Sequence, residues 1–261
     1  MAEGGSDLLN MHPYGGLSQY VVSPDSKIAL LPDSFDLHSA ARLGYAGTSY
    51  AALKKAGVAA GSTVLINGVT GTLGVSAVAI ALGLGATKIL GIGRNPDRLK
   101  QVEAFSPKGT ERVATFRSTD DNDDGDAAEW VKTQTAGLGV DAYIDCLGVG
   151  GAASTTEALV RSAVKVGGRA ILVAGGAQGD ISAPYYEWFM RDVALIGSVW
   201  FTDGEIDELI ALIGAGVIDL SWLENQTFPL DKVNDALDAA SDRPGGFINV
   251  VVIPDGAPKK D

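Results

Sequence analysis

The sequence predicts an α/β protein built on a doubly wound parallel sheet, and three observations carry that expectation. From about residue 60 onward, short β-branched runs alternate with longer helical patterns, the order that specifies parallel strands joined by right-handed crossovers. The strand-like runs are continuously apolar rather than alternating, as strands buried on both faces require. A glycine-punctuated turn, "GVTGTLG" at 68–74, joins the first such run to the first long helical pattern.

The elements follow in order. "STVLIN" (62–67) reads as a buried strand and "TLGVSAVAIALGLG" (72–85) as a helix with small residues facing the sheet. "TKILGIG" (87–93) is a second strand. The helix "NPDRLKQVEAF" (95–105) follows, with Asn95 at the N-cap, Pro96 in the first position and Asp97 in the first turn. "RVATF" (112–116) is a third strand and "DAAEWVKTQTAG" (126–137) a helix stopped by Gly137. "VDAYIDCLG" (140–148), "GRAILVAGG" (168–176) and "VALIGSVW" (193–200) are strands four to six, with the helix "ASTTEALVRSAV" (153–164) between the first two. The flanks differ: "GGLSQYVVSPDSKIALLPD" near the N-terminus carries a period-2 strand pattern, and 221–253 reads as a helix followed by a terminal strand. They look like pieces of one second, mostly β unit that the α/β domain interrupts.

Composition narrows the function. The chain has 261 residues and a formal net charge of −12, which argues against a nucleic-acid or anionic-membrane partner. Part of the acidity is local, in "STDDNDDGDAAEW", where Asp120, Asp121, Asp123, Asp124 and Asp126 fit a Ca²⁺ loop poorly and read as a solvated loop ahead of a helix. Cys146 is the only cysteine, so no intrachain disulfide forms and a reducing, cytoplasmic setting is expected. With only His12 and His38 besides, the inventory assembles no zinc site of the His/Cys kind. The N-terminal segment lacks a signal-peptide pattern, and no apolar stretch of membrane-spanning length escapes Gly or charge interruption.

Each glycine inside a regular element costs about 0.5–1 kcal/mol, so Gly68, Gly71 and Gly74 need a reason. Gly71 stands where backbone must approach a ligand closely, and Gly74 where the helix must pack tightly on the strand. The helix starting at Thr72 then offers free N–H groups and its positive dipole end to a pyrophosphate. The fingerprint G-x-G-x-x-G is not intact, because Val69 holds the place of its first glycine. At the end of strand two, where an Asp or Glu would hold an NAD ribose, the chain reads Gly93, Arg94 and, one turn on, Arg98. With no carboxylate there and two guanidinium groups, NADP(H) is favoured over NAD(H). Gly148, Gly175, Gly176 and Ser198 all fall at carboxyl ends of strands, where open α/β sheets bind ligands.

The segments "AARLGYAGTSYAALKKAGVAAGSTVLINGVTGTLG", "GIGRNPDRLKQ", "GLGVDAYIDCLG", "KVGGRAILVAGG", "LIGSVW" and "FPLDKVNDALDAA" occur in an order that resembles the medium-chain dehydrogenase/reductase family. Together with "GGLSQYVVSPDSKIALLPD" they run over nearly the whole chain. That family comprises zinc-type alcohol dehydrogenases and quinone-reductase relatives, and the glycine turn is similar to the quinone-reductase form. The resemblance implies a Rossmann domain, here 46–200, set into a GroES-like catalytic domain of which 1–45 and 201–261 are remnants. It implies that Thr48 lies near the nicotinamide and that Thr72 and Leu73 offer backbone N–H groups to the pyrophosphate. Leu147, Gly148, Val173, Gly175, Ser198 and Trp200 would line the nicotinamide side. It further implies a homodimer in which edge strands pair, with "VALIGSVW" as the seam.

The chain also departs from that family. The resemblance leads one to expect most of a GroES-like domain, with the zinc ligands it carries, ahead of "GGLSQYV", and the 14 residues there do not contain it. The segment that holds another ligand Cys in zinc enzymes reads "LGYAGTSY" here, around Gly44 and Tyr45. The expected activity is therefore a zinc-independent, NADP-dependent hydride transfer between nicotinamide and a carbonyl or alcohol, a quinone or an activated alkene. A second reading is a dinucleotide-binding protein with little or no catalysis. Tyr45, Ser49, Tyr50 and Tyr185 are the hydroxyl groups considered as proton donors.

Overall fold

The computed structural model describes residues 16–25, 28–119, 124–182 and 184–254. Its centre is a six-stranded sheet: β1 (Thr63–Asn67), β2 (Lys88–Gly93), β3 (Val113–Arg117), β4 (Val140–Asp145), β5 (Val164–Leu172) and β6 (Ala194–Gly197). The strand order is β3-β2-β1-β4-β5-β6 and every neighbouring pair is parallel. This is the Rossmann order, in which the chain winds outward in both directions from β1 and leaves a crevice between the carboxyl ends of β1 and β4.

Helices cover both faces. On one face lie α1 (Leu37–Ala40), α2 (Leu43–Lys55), α3 (Thr72–Gly83), α4 (Pro96–Glu103) and, in the same layer, α8 (Asp203–Gly214). Leu53, Val78, Ile80, Leu99 and Leu209 from these helices pack with Val64, Ile66 and Ile144 of the sheet. The opposite face carries α5 (Asp124–Gln134), α6 (Ala153–Ala163) and α7 (Tyr185–Arg191), where Val131, Leu159 and Val160 meet Leu65, Leu90 and Tyr143. Alternate residues of each strand thus feed two separate cores, which is why the strands read as unbroken apolar runs.

Local signals set the boundaries. Asn95 caps α4 by accepting from the amides of Asp97 and Arg98 at 3.0 and 3.1 Å, with Pro96 at the first helical position. β4 ends at Asp145 rather than continuing to 148, because the Leu147 amide donates to its Oδ1 at 2.8 Å and turns the chain. β5 begins at Val164, four residues earlier than expected, and ends at Leu172. A bulge between Val140 and Ala142 lets Val164 pair with Val140 and leaves Gly175 and Gly176 in the loop beyond. Helix α2 lies ahead of the first element of the alternating run read from the sequence. Gly47 is needed there: a Cβ would fall 2.7 Å from the ring of Phe201.

The N-terminal strand expectation is corrected. Residues 16–25 and 28–36 contain no strand, and Tyr20 and Leu30 are 91% and 86% exposed. A strand needs a paired edge, and among the described residues none lies against this segment. At the other end β7 (Glu224–Pro229) pairs in parallel with β8 (Ile248–Ile253) across α9 (Val233–Ser241), which adds a strand to the expected helix and terminal strand. Residues 120–123 of the acidic run and the N-terminal segment 1–15 lie outside the described residues. Asp124 opens α5.

Gly74 is the tightest point between α3 and β1, where a Cβ would lie 2.4 Å from the Gly68 carbonyl oxygen and 2.6 Å from Val69 Cα. Both neighbours are backbone and cannot swing aside. Gly74→Ala is expected to lower the unfolding free energy by about 1–3 kcal/mol in denaturant titration. A change within about 0.5 kcal/mol would show that α3 shifts freely on the sheet.

Candidate cofactor-binding site

The turn after β1 makes up for the one missing glycine of the fingerprint at two other positions, Gly68 and Gly91. Gly68 takes a positive φ of 80°, and a Cβ on it would meet the Cys146 carbonyl oxygen at 2.7 Å across the crevice. Val69 is fully buried, and Gly91 of β2 makes room for it: a Cβ on Gly91 would stand 2.8 Å from Val69 Cγ2. The space that a missing glycine would have left is thus moved to the neighbouring strand. Gly71 then caps α3 in an extended conformation with no side-chain hydrogen bond. The first helical bond runs from the Val75 amide to the Gly71 carbonyl at 2.9 Å, so the amides of Thr72 and Leu73 precede the ladder and point out of the helix end.

Two cavities of about 540 and about 630 Å³ meet at this turn. Both are bordered by Thr70, Gly71, Arg94, Arg98, Cys146, Gly148 and Arg243. The first extends past Gly93 to Leu147 and the start of α6, the second past Thr72 and Leu73 to Tyr45 and the segment leading into β8. Among the described residues no Asp or Glu borders either cavity, although the chain carries a net charge of −12. A Cβ on Gly148 would touch nothing within 4 Å, so the floor of the groove is open above the β4 end.

Of the residues singled out from the sequence, Gly71, Thr72, Leu73, Gly93, Arg94, Arg98, Leu147 and Gly148 come together around these cavities. Val173, Gly175, Ser198 and Trp200 lie at the carboxyl ends of β5 and β6, outside the cavity linings. The Ser198 hydroxyl accepts from Lys55 Nζ at 2.9 Å, and Trp200 is 73% exposed with a φ of 52°. Thr48 sits in α2 with its hydroxyl donating to the Gly44 carbonyl at 2.9 Å. Three of the four hydroxyl groups considered as proton donors are engaged or remote. Ser49 donates to the Leu73 carbonyl at 2.9 Å, and Tyr50 donates to Glu208 at 2.8 Å. Burial, with the Glu208 hydrogen bond and charge adding to it, pushes the Tyr50 phenol up to about 12. Tyr185 is 86% exposed on α7. Tyr45 alone of the four borders a cavity.

Arg243 was missed in the sequence. It has a φ of 50° in the turn Arg243–Gly246, and its carbonyl accepts from Arg98 at 3.4 Å. Gly245, at φ 99°, lies flat against the Arg98 guanidinium, where a Cβ would be 2.8 Å away. The Gly246 amide donates to the Thr70 carbonyl at 2.9 Å. The tripeptide "PGG" following Arg243 was the available turn signal, but the bond from Gly246 to Thr70, 176 positions earlier, has no local trace.

Beneath the groove floor lies a buried polar cluster. Asp145 accepts from Thr156 Oγ1 and from the Leu147 amide, while Asn67 Nδ2 donates to the Tyr143 hydroxyl at 3.2 Å. Burial raises the Asp145 carboxyl above its ordinary range, and the hydrogen bonds from Thr156 and Leu147 oppose that rise. Burial also pushes the Tyr143 phenol and the Cys146 thiol upward.

A sequence model of the zinc-binding dehydrogenases matches residues 72–215. The chain belongs to that family. The human quinone oxidoreductase is 29% identical over 229 residues, which are 85% of this chain and 64% of that enzyme. The crystal structure of AibC superposes with a TM-score of 0.73 at 23% identity, covering 94% of this chain and 68% of that one. A zinc-binding dehydrogenase from Sinorhizobium meliloti bound to NADP superposes with a TM-score of 0.69 at 23% identity, covering 85% of this chain and 62% of its own. The chain therefore spans less than two thirds of the length of the human relative. Among the described residues no group of three or more His, Cys, Asp or Glu side chains is arranged to hold a metal ion. No described helix is long and apolar enough to cross a membrane.

Thr156 is the side chain that most directly holds the Asp145 carboxylate. Thr156→Val is expected to destabilise the protein by about 1.5–3 kcal/mol near pH 8. Because a raised carboxyl pKa makes the ionised form the costly one in the folded state, stability falls as pH rises through that pKa. Removing Thr156 steepens the fall, so the loss should be smaller near pH 5 than near pH 8. Denaturant titrations at the two pH values measure both, and equal losses would remove the charged hydrogen bond from this account.

Proposed function

We propose that the chain binds NADP(H) along the crevice between β1 and β4 and serves a hydride-transfer reaction on a carbonyl or alcohol, a quinone or an activated alkene. The observation that carries this reading is the cation-lined groove, bordered by no carboxylate among the described residues, that converges on an uncapped helix N-terminus. The amides of Thr72 and Leu73 and the α3 dipole would hold the diphosphate. Gly71 keeps that space clear, and Gly148 keeps the floor open for the nicotinamide half. Arg94, Arg98 and Arg243 stand at the end of β2, where the adenosine ribose falls in this fold, and offer charge-assisted bonds to a 2′-phosphate. The bound nicotinamide supplies the hydride-carrying carbon, while the protein contributes orientation and electrostatics. The relative that carries NADP in its crystal and the family of quinone and polyol oxidoreductases support the same class. No step of this reaction is routed through zinc.

We also propose that the working unit is a homodimer joined along β6. Its outer edge is unpaired among the described residues, and Tyr186, Phe189 and Val199 beside it are 67–70% exposed, a liability that pairing removes. Cys146, the only cysteine, is buried with its thiol held neutral, which fits a reducing compartment.

Gly71→Val should abolish NADPH binding, read by nicotinamide fluorescence, while circular dichroism stays native, because the side chain enters the phosphate space. Retained affinity would displace the diphosphate from this turn. Arg94→Ala should weaken NADPH more than NADH by about 1.5–3 kcal/mol; equal losses for the two would remove Arg94 from a 2′-phosphate site. Sedimentation of the wild-type chain at micromolar concentration should give twice the monomer mass, and a monomer throughout would reject the β6 seam.

A further inference from the structure

We propose that Arg42, at the start of α2, is the cation of the diphosphate subsite: a buried guanidinium whose counter-ion is the pyrophosphate of the bound dinucleotide. This inference rests on the cofactor reading above and assigns a residue to a part of the site that the sequence left to backbone alone.

Arg42 is 2% exposed. Its Nη1 donates to the Gly246 carbonyl at 2.9 Å, its Nη2 to the Ile248 carbonyl at 2.7 Å and its Nε to Asn249 Oδ1 at 3.4 Å. All three acceptors are uncharged. A guanidinium has five N–H donors, so two remain, one on each terminal nitrogen. Among the described residues Arg42 forms no ion pair. Burial draws its pKa down to about 10, opposed only by nearby Tyr45. A buried charge without a partner is costly and calls for an anion.

The surroundings indicate where that anion sits. Arg42 borders the larger cavity together with Gly71, Thr72 and Leu73. The residue it grips, Gly246, touches the turn directly: its amide bonds the Thr70 carbonyl, and a Cβ on it would lie 2.4 Å from the Gly71 carbonyl oxygen. Asn249 is fixed by two bonds from its Nδ2, to the His38 carbonyl and to Asn225 Oδ1, both at 2.9 Å. That anchoring turns its oxygen toward Arg42 and holds the guanidinium in place. Cations are therefore divided along the groove. Arg94, Arg98 and Arg243 border both cavities, whereas Arg42 borders only the one containing Thr72 and Leu73.

The test uses four probes on the full chain: ADP-ribose and NADH, which carry a diphosphate, NADPH, which carries both groups, and adenosine 2′-monophosphate, which has no diphosphate. Arg42→Gln keeps hydrogen-bonding capacity and removes the charge. It should weaken ADP-ribose, NADH and NADPH by about tenfold or more and by the same factor, while adenosine 2′-monophosphate changes by less than about twofold. Arg42→Lys should recover part of the ADP-ribose affinity. Unchanged ADP-ribose binding by Arg42→Gln overturns the proposal, and so does an equal loss for all four probes, which would make Arg42 a structural staple of β8. If Arg42→Gln does not fold, Asn249→Asp neutralises the guanidinium in place. It should lower ADP-ribose affinity by about tenfold and spare adenosine 2′-monophosphate, and unchanged ADP-ribose affinity again overturns the assignment. A wild-type chain that binds adenosine 2′-monophosphate but none of the diphosphates rejects this subsite. A chain that binds none of the four rejects the cofactor reading itself.

Discussion

The close approach of α3 to the turn that precedes it governs the rest of the molecule. With no side chain at Gly74, the helix settles against the Gly68 carbonyl and the Val69 backbone. From Gly74 to Ala81 every residue of α3 is then buried, so the helix cannot tilt without opening the core on both its sides. Its N-terminal amides are consequently held over the β1–β4 crevice by packing energy rather than by a side-chain cap. Val69, which departs from the usual glycine pattern, strengthens this arrangement, because its side chain fills the space left by Gly91 and ties the turn to β2.

A second contact closes the same turn from outside. Gly246 stacks on Gly71, and its amide satisfies the Thr70 carbonyl. The β7–α9–β8 unit thus reaches back to the first crossover, and Gly245 presents a flat backbone to the Arg98 guanidinium. Side chains separated by some 200 positions, Arg42 and Asn249 among them, share one small region. In a chain of net charge −12 the concentration of guanidinium groups there is an electrostatic feature in its own right. A positive groove in an acidic surface focuses the field on an incoming anion.

The strand and helix sequence of the sheet was readable because each element carries its own signal. β-branched apolar runs mark β1, β2 and β4, and Asn95–Pro96 marks the start of α4. Gly71, Arg94 and Arg98 were accessible for the same reason: each stands a fixed number of residues from a strand end. What could not be read depends on contacts distant in sequence. Gly47 in α2 is explained by the ring of Phe201, more than 150 residues away. The early start of β5 follows from a bulge opposite Val140. Arg243 and Arg42 gain their meaning from Gly71 and Gly246, which no local pattern links to them. Period-2 alternation at 16–25 suggested a strand, but a pattern without a paired edge forms none among the described residues.

The handling of Asp145 keeps one carboxylate out of the groove. A carboxylate at the carboxyl end of β4 would ordinarily face whatever occupies the crevice. Here Asp145 is buried, accepts from the Leu147 amide and the Thr156 hydroxyl, and borders neither cavity. Burial would push its proton affinity up, and the two donors hold that rise in check. The acid therefore serves the turn after β4, while the face above it is left to glycine and arginine. Arg42 shows the converse arrangement, a buried cation supported by neutral acceptors. Turning the Asp145 carboxylate inward and leaving the Arg42 guanidinium on neutral acceptors both shift the groove toward positive potential, the electrostatic condition that the proposed diphosphate site against α3 requires.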